Sequence, residues 1–403
     1  MNRFILVALS LVTLSLTACK WTDFDDLSDQ AWAHSQDKPS IGSTDYGVSI
    51  VGASTSGDGG LVSVVSTDAP TYSTISYDAK GGSKTGDTVL KLGQHYIVSL
   101  SEKPILVTDG AGNVALVEKA IDAGKIAVVS GPASAPADLA FAGSPPQAAT
   151  YAGSTLIIAA QAAAANAPNL FVVDGANPVG NCIATEPDGT TPLAAAAIAA
   201  DTQNLWVWST TGDVFAYDLT AVKACTATLA AVAGTSFSPM TAFAPGTGAR
   251  IHIVGDAAGA AEFAILAGHA DKATNGEVVV LDLKHAGGPM QISTLAADGL
   301  LSSTVATFDS SMYLVLGYPT KTVKNVAAGE VDILDLDPTT GTLGDTPSET
   351  LFDAQPENGE VFGRDVTTMA FNGHTVLVVA ASNEVFSYYR TSLYPTDTRN
   401  PAP

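Results

Sequence analysis

Positive charge is scarce in this chain, and that scarcity excludes one class of partner. The 403 residues contain 18 Lys and Arg against 40 Asp and Glu, which gives a formal net charge of −22 at pH 7. A surface of this sign repels phosphate backbones, so we expect no nucleic-acid partner. Only 14% of the residues are charged and 46% are hydrophobic, a balance typical of a folded chain rather than a disordered one.

Motifs for metal binding and catalysis are also missing. The nearest calcium-type motif runs from Asp335 and Asp337, but Thr339 replaces an acidic ligand and Gly341 comes one position late, which favours a tight turn. No Gly-x-Ser-x-Gly elbow is present, and the histidines lack the spacing of a zinc pair. These histidines are His34, His95, His252, His269, His285 and His374. We therefore predict no catalytic residue, no metal and no cofactor.

The N-terminal segment has the pattern of an export signal. Arg3 precedes an apolar run of about 13 residues, too short for a helix to cross a hydrocarbon core of about 30 Å. The run ends at Leu16. The four residues Leu16-Thr17-Ala18-Cys19 resemble the lipobox of bacterial lipoproteins. The resemblance implies cleavage after residue 18 and attachment of diacylglycerol and a palmitate-type acyl chain to Cys19.

A lipid on Cys19 would anchor the chain to a membrane of the bacterial cell envelope. Lys20 stands where many such proteins carry an inner-membrane retention Asp, so the resemblance implies the outer membrane. The sequence leaves open whether the protein then faces the periplasm or the cell surface.

Two cysteines remain in the mature chain. Cys182 and Cys225 would meet an oxidising compartment after export, and an isolated pair there often forms a disulfide. The alternative is two unpaired buried thiols.

A recurrent apolar strand dominates the rest of the chain. It begins at Gly60, Asn113, Asn169, Asp213, Glu277, Glu330 and Glu384. The spacings run from about 44 to about 64 residues. Another apolar strand directly precedes it, for example at Leu156, Leu205, Ile251, Tyr313 and Val376, with a further element before these two and one after them, so we expect the recurrent strand to be third in its unit. We interpret 256–276 and 319–328 as long connections between strands. Three or four short strands per unit predict an all-β fold, a seven-bladed β-propeller of mostly four-stranded antiparallel blades.

This interpretation sets the domain boundaries. We predict a signal peptide over 1–18, a lipidated acidic tether over 19–29, a propeller over 30–394 and a C-terminal tail over 395–403. The last unit lacks an obvious outer strand, so we expect a segment beginning at Gln30 to pair with it and close the ring. Trp206 and Trp208 alternate on one strand, and we favour packing between blades over an exposed aromatic platform.

Segments that begin at Tyr46, Val315, Ala328 and Phe362 resemble FG-GAP repeats, the blades of integrin-α-type propellers. Segments at Thr211 and Asp337 are more similar to PQQ-type propeller repeats. Both resemblances imply the same gross architecture.

These predictions together favour a non-enzymatic lipoprotein. We expect a monomeric propeller that serves as a platform for an unknown protein or glycan ligand. The alternatives are an envelope-assembly factor, resembling the propeller lipoprotein of the outer-membrane barrel insertion machinery, and a propeller hydrolase or lyase with a site in its central channel.

Overall fold

The computed structural model describes isolated strands between residues 32 and 140 and a nearly continuous chain from there to 390. The described residues are 32–37, 48–56, 59–66, 71–77, 84–91, 105–108, 114–117, 125–129, 137–140, 146–162, 164, 166–174, 177–225, 228–238, 245, 249–268, 276–308, 310–353, 355–371, 374–382 and 385–390. The predicted signal peptide, the tether with Cys19 and the C-terminal tail lie outside them.

The described strands form antiparallel sheets that follow one another along the chain. After β1 (Trp32–Asp37), the first sheet contains β2 (Val48–Ser56), β3 (Gly59–Ser66), β4 (Thr71–Tyr77) and β5 (Lys84–Lys91). The second contains β6 (Ile105–Thr108), β7 (Val114–Val117), β8 (Lys125–Val129) and β9 (Ala137–Ala140). The third contains β10 (Pro146–Ala152), β11 (Thr155–Ala160), β12 (Leu170–Asp174) and β13 (Asn177–Cys182).

The later sheets keep this plan with local changes. The fourth contains β14 (Ala195–Ala200), β15 (Asn204–Ser209) and β16 (Val214–Asp218), followed by the short helix α1 (Leu219–Ala224). The fifth contains β17 (Arg250–Gly255), β18 (Ala261–Gly268), β19 (Glu277–Asp282) and β20 (Met290–Ala296). The sixth contains β21 (Ser302–Phe308), β22 (Ser311–Tyr318), β25 (Glu330–Leu336) and β26 (Glu349–Leu351), with the hairpin β23 (Thr322–Val323) and β24 (Val326–Ala327) between its second and third strands. The seventh contains β27 (Asp365–Phe371), β28 (His374–Ala380) and β29 (Val385–Arg390), and β1 is its fourth strand.

The first strands of successive sheets touch one another. β2 contacts β6, β6 contacts β10, and the series continues through β14, β17, β21 and β27. The last of these, β27, contacts β2 again. The contacts therefore close into a ring of sheets, with the first strand of each sheet on the inside.

The third to seventh sheets bury side chains on both faces, which explains their nearly continuous apolar strands. On β15, Leu205 and Val207 pack in a core shared with the third sheet, while Trp206 and Trp208 pack in a core shared with the fifth. Successive side chains of a strand point to opposite faces, so one strand contributes to two cores. Trp206 and Trp208 are 4% and 0% exposed, which confirms that they are packed between sheets.

The N-terminal strand completes the last sheet. β1 pairs antiparallel with β29, from Trp32 opposite Arg390 to Asp37 opposite Val385. This pairing confirms that a segment near Gln30 closes the fold, and it removes a free sheet edge.

Two of the strand predictions were wrong. The segment 256–276 is not one connection, because it contains β18, which pairs with both β17 and β19. The strands at Gly60 and Asn113 are second in their sheets, whereas the other recurrent strands are third. Both errors arise because every strand of a doubly covered sheet is apolar, so hydrophobicity does not reveal a strand's place within its sheet.

Among the described residues, no helix is long and apolar enough to span a membrane.

Candidate functional site

A polar side-chain contact between sheets joins the inner strands β17 and β21. The ring nitrogen Nε2 of His252 lies 2.8 Å from Oγ of Ser303, a hydrogen-bond distance. His252 is the third residue of its strand and Ser303 the second of its own. The contact therefore joins the beginnings of two inner strands that are 51 residues apart in the chain.

Side-chain alternation places Arg250 beside this pair. Val254 and Val305 both pack in the core between the fifth and sixth sheets. Residues two apart on a strand share a face, so Arg250, His252 and Val254 all face the sixth sheet. The inner edge between these sheets is therefore polar at the strand beginnings and apolar farther along.

His252 is neutral at physiological pH. It retains some accessible surface, yet protein surrounds the ring on most sides. Burial, together with the positive charge of Arg250, lowers the pKa of His252 to about 3. A general base works best when its pKa is near the operating pH, so this imidazole is a weak base at pH 7.

A serine–histidine contact alone does not make a hydrolase. In a nucleophilic site the histidine is normally oriented by a third group such as a carboxylate. Within the described ranges, the contact with Ser303 is the one hydrogen bond of the His252 side chain. The arrangement is better suited to holding a ligand than to removing a proton.

A tightly packed Phe-Gly pair lies just before β27, the inner strand of the seventh sheet. Phe362 is fully buried against Phe386, with ring centroids 5.1 Å apart. Gly363 has φ +82°, and its carbonyl accepts a hydrogen bond of 2.9 Å from Oγ of Ser302 on β21. A Cβ on Gly363 would lie 2.6 Å from the carbonyl oxygen of Glu330, so the glycine is required by space as well as by φ.

The predicted connection 319–328 is an ordered hairpin rather than an irregular loop. Lys321 lies 2.5 Å from Oε1 of Glu330 and 3.1 Å from Oδ2 of Asp332, with its ammonium 4.0 Å from the ring centre of Tyr318. Burial opposes the charge of Lys321, but these carboxylates outweigh it and raise the lysine pKa. Thr350 donates to the other oxygen of Asp332 at 2.8 Å, so the hairpin is tied to two strands of the sixth sheet.

Several connections meet at this end of the sixth sheet. In an antiparallel meander the second strand ends, and the third begins, at the end where the first strand starts. Gly299 accordingly lies beside Thr320, and Gly329 lies against Phe362. We call the surface formed by residues 297–301, 318–330 and 355–364 the loop face.

The structure places the other predicted site residues as follows. Cys182 and Cys225 form a disulfide with their Cα atoms 5.2 Å apart, so the pairing is confirmed over the unpaired alternative. Asp337 accepts hydrogen bonds from the backbone of Thr339 and from Oγ1 of Thr340, which confirms the tight turn.

Cys19, the predicted lipidation residue, lies outside the described residues. Within the described ranges, no group of three His, Cys, Asp or Glu side chains could hold a metal ion.

Sequence reasoning missed Arg250 and Ser303 and gave His252 no special role. The three residues belong to two different sheets, and no local motif connects them. The only available signal was the presence of a His and an Arg in an otherwise apolar strand of a chain poor in positive charge.

Comparisons with known proteins show the fold alone. No protein-family model matches the sequence, and no curated protein matches it either. The FG-GAP resemblance therefore remains a prediction. Among solved structures, the chain is similar to hydrazine synthase of Kuenenia stuttgartiensis, with a TM-score of 0.52, 12% identity, and coverage of 84% of this chain and 95% of that one. It is also similar to BBS1N, solved in complex with ARL6DN, with a TM-score of 0.53, 9% identity, and coverage of 90% and 97%. Both neighbours are propeller-like, and so is the all-β arrangement of antiparallel sheets described above.

Proposed function

We propose that this protein is a lipid-anchored component of the bacterial cell envelope whose sheets form a seven-bladed propeller, and that its loop face binds protein or glycan without catalysis. The observation that carries the proposal is the loop face itself, where a rigid hairpin, a tightly packed Phe-Gly connection and the beginnings of polar inner strands come together.

The ring of inner-strand contacts supports the proposal of seven blades. Seven first strands contact one another in cyclic order among the described residues, and a propeller is the arrangement in which such sheets cover each other's faces. The two-sided burial of the third to seventh sheets supports this arrangement.

Binding rather than catalysis is favoured by rigidity and by the chemistry of the inner edge. The loop-face hairpin is held by charged side chains, and Gly329 and Gly363 beside it pack closely against backbone atoms of neighbouring segments. A preformed surface loses less conformational entropy when it binds a partner. BBS1N, the propeller-like neighbour, is solved as a complex with another protein, but the similarity to this chain shows the fold alone.

The membrane anchor is supported by the sequence around Cys19. The test is to express the full chain and a Cys19→Ala variant in a bacterium supplied with labelled palmitate. We expect label and outer-membrane fractionation for the unaltered chain, with neither for the variant. Equal labelling of the two chains would refute the anchor.

The binding role needs a separate experiment. A photo-crosslinking residue at Asn325, the tip of the loop-face hairpin, should capture a specific envelope partner, whereas the same residue at Asp345, at the opposite end of the sixth sheet, should not. Capture from Asp345 alone would refute the proposed face. Capture of the outer-membrane barrel insertion machinery would favour the assembly role, and digestion by protease on intact cells would favour a surface-exposed adhesive role.

A further inference from the structure

Arg250 is an unusual residue in this molecule. The chain has only 18 Lys and Arg against 40 Asp and Glu, so a carboxylate partner is easy to supply. Lys284 and Lys321, for example, each contact two carboxylates. In the part of the chain that the structure describes, Arg250 forms no ion pair, although it is partly buried on an inner strand.

The groups beside Arg250 do not neutralise it. The nearest titratable neighbour on its own strand face is His252, which is uncharged. The strand that this face meets, β21, presents the hydroxyl of Ser303 rather than a carboxylate. A guanidinium in this position has its five donors and its positive charge available to water or to a ligand.

The hydrogen bond between His252 and Ser303 can supply one more donor. When the hydroxyl of Ser303 donates to Nε2, the single proton of the neutral ring is on Nδ1. Among the described residues Nδ1 has no hydrogen-bond partner. A neutral imidazole N–H beside a guanidinium fork matches a planar group with two acceptor oxygens.

We infer that Arg250, with His252 oriented by Ser303, forms a subsite for a carboxylate group of a ligand bound at the inner edge between the fifth and sixth sheets. This inference rests on the proposed binding function and adds a chemical class of ligand to it. The carboxylate would pair with the guanidinium of Arg250 and accept from Nδ1 of His252. The net charge of −22 repels anions at long range, so the isolated group should bind weakly, with a Kd on the order of 1–10 mM.

Saturation-transfer NMR on the full chain in detergent, with D-glucuronate as the probe, tests the subsite. We expect transfer to glucuronate but not to D-glucose, which lacks the carboxylate. Arg250→Gln should weaken glucuronate binding at least about tenfold, because a charge-assisted bidentate contact is lost. Lys284→Gln is the matched control, since it removes one positive charge from the same sheet at an exposed position, and binding should be unchanged.

Equal transfer to glucose, no transfer to glucuronate, or the same loss in the two glutamine variants would each overturn the inference. If Arg250→Gln does not fold, as judged by its thermal unfolding, Arg250→Lys replaces it. Lysine keeps the charge without the planar fork, so binding should fall by about threefold, and unaltered binding would count against the subsite. These outcomes are independent of the crosslinking experiment, because no partner protein is present.

Discussion

The outer edges of the fourth and sixth sheets both lack a full-length fourth strand, and they are stabilised in two different ways. The fourth sheet has three strands, and beyond β16 the chain forms α1. In the described residues 228–238 that follow, Phe237 pairs with Val214 of β16 as an isolated bridge. The disulfide from Cys225 to Cys182 joins this region to the last strand of the third sheet. The sixth sheet has a short fourth strand and no disulfide, and side-chain contacts around Asp332 hold its edge.

The difference indicates what an edge requires when its backbone ladder is incomplete. A covalent link limits the conformations of the unfolded chain, so it stabilises a segment that has few native contacts of its own. A charged network stabilises only the folded arrangement and depends on geometry, solvent and pH. The two edges should therefore respond differently to reduction, to steric change and to pH.

Removal of the disulfide should have the largest effect. Cys182→Ala combined with Cys225→Ala opens a loop with a sequence separation of 43 residues, which the chain-entropy model values at about 4 kcal/mol. Urea unfolding measures the loss. Dithiothreitol should bring the unaltered protein close to the variant and leave the variant itself unchanged. An unaltered protein that is insensitive to reduction would show that side-chain packing alone holds this edge.

A side chain added at Gly329 in the loop face should have the second-largest effect on stability. Gly329 has φ +96°, and a Cβ there would lie 2.2 Å from the carbonyl oxygen of Phe362. We expect Gly329→Ala to cost about 3 kcal/mol from the combined backbone strain and overpacking. Gly359→Ala is the control, because Gly359 also has positive φ, at +83°, but a Cβ added there would have no atom within 4 Å. Its cost should be about 1 kcal/mol, and equal costs would show that the contact with Phe362 yields easily.

Loss of the charged network around Lys321 should reduce stability less than loss of the disulfide or substitution of Gly329. Lys321→Met removes the partner of the buried Asp332, but the lysine side chain is 39% exposed, so solvent screening reduces the effect to about 1 kcal/mol. Lys284→Met is the comparison, because that lysine is 47% exposed and should cost less. Urea midpoints of the two variants provide the measurement. A larger loss for Lys284→Met would contradict the role given to the sixth-sheet network.

The smallest effect should be the pH dependence of the stability difference between the unaltered protein and Lys321→Met. Hydrogen bonds to Glu330 and Asp332 outweigh burial and raise the pKa of Lys321 above 10.5 in the folded protein. The folded state therefore binds the proton more tightly, so the contribution is fully present below pH 10.5 and is lost as pH rises through the folded pKa. We expect the difference between the unaltered protein and Lys321→Met to be constant from about pH 7 to 9 and to shrink above pH 10.5. A stability difference that persists above pH 10.5 would show that it comes from packing of the Lys321 methylene chain rather than from its charge.

Much of the fold could be predicted from local sequence, but strand order could not. The apolar runs at Leu156, Leu205 and Tyr313 are second strands as expected, and the closing strand was correctly placed near the N-terminus. The phase of the first two units and the nature of 256–276 were wrong, because several strands of one sheet are apolar, Ala261–Gly268 among them, and hydrophobicity does not reveal their order.

The sequence by itself determined the β class and the turn at Asp337, since these depend on strand propensity and turn chemistry. It favoured the pairing of Cys182 with Cys225 but left unpaired thiols open, and the structure decided for the disulfide. Only the tertiary structure decided which residues form the inner edge. Arg250, His252 and Ser303 come together because two sheets pack against each other, and contacts between strand edges 51 residues apart leave no periodicity in the chain. Local sequence specifies how each sheet forms, whereas the packing of one sheet on the next determines which side chains meet at the inner edge.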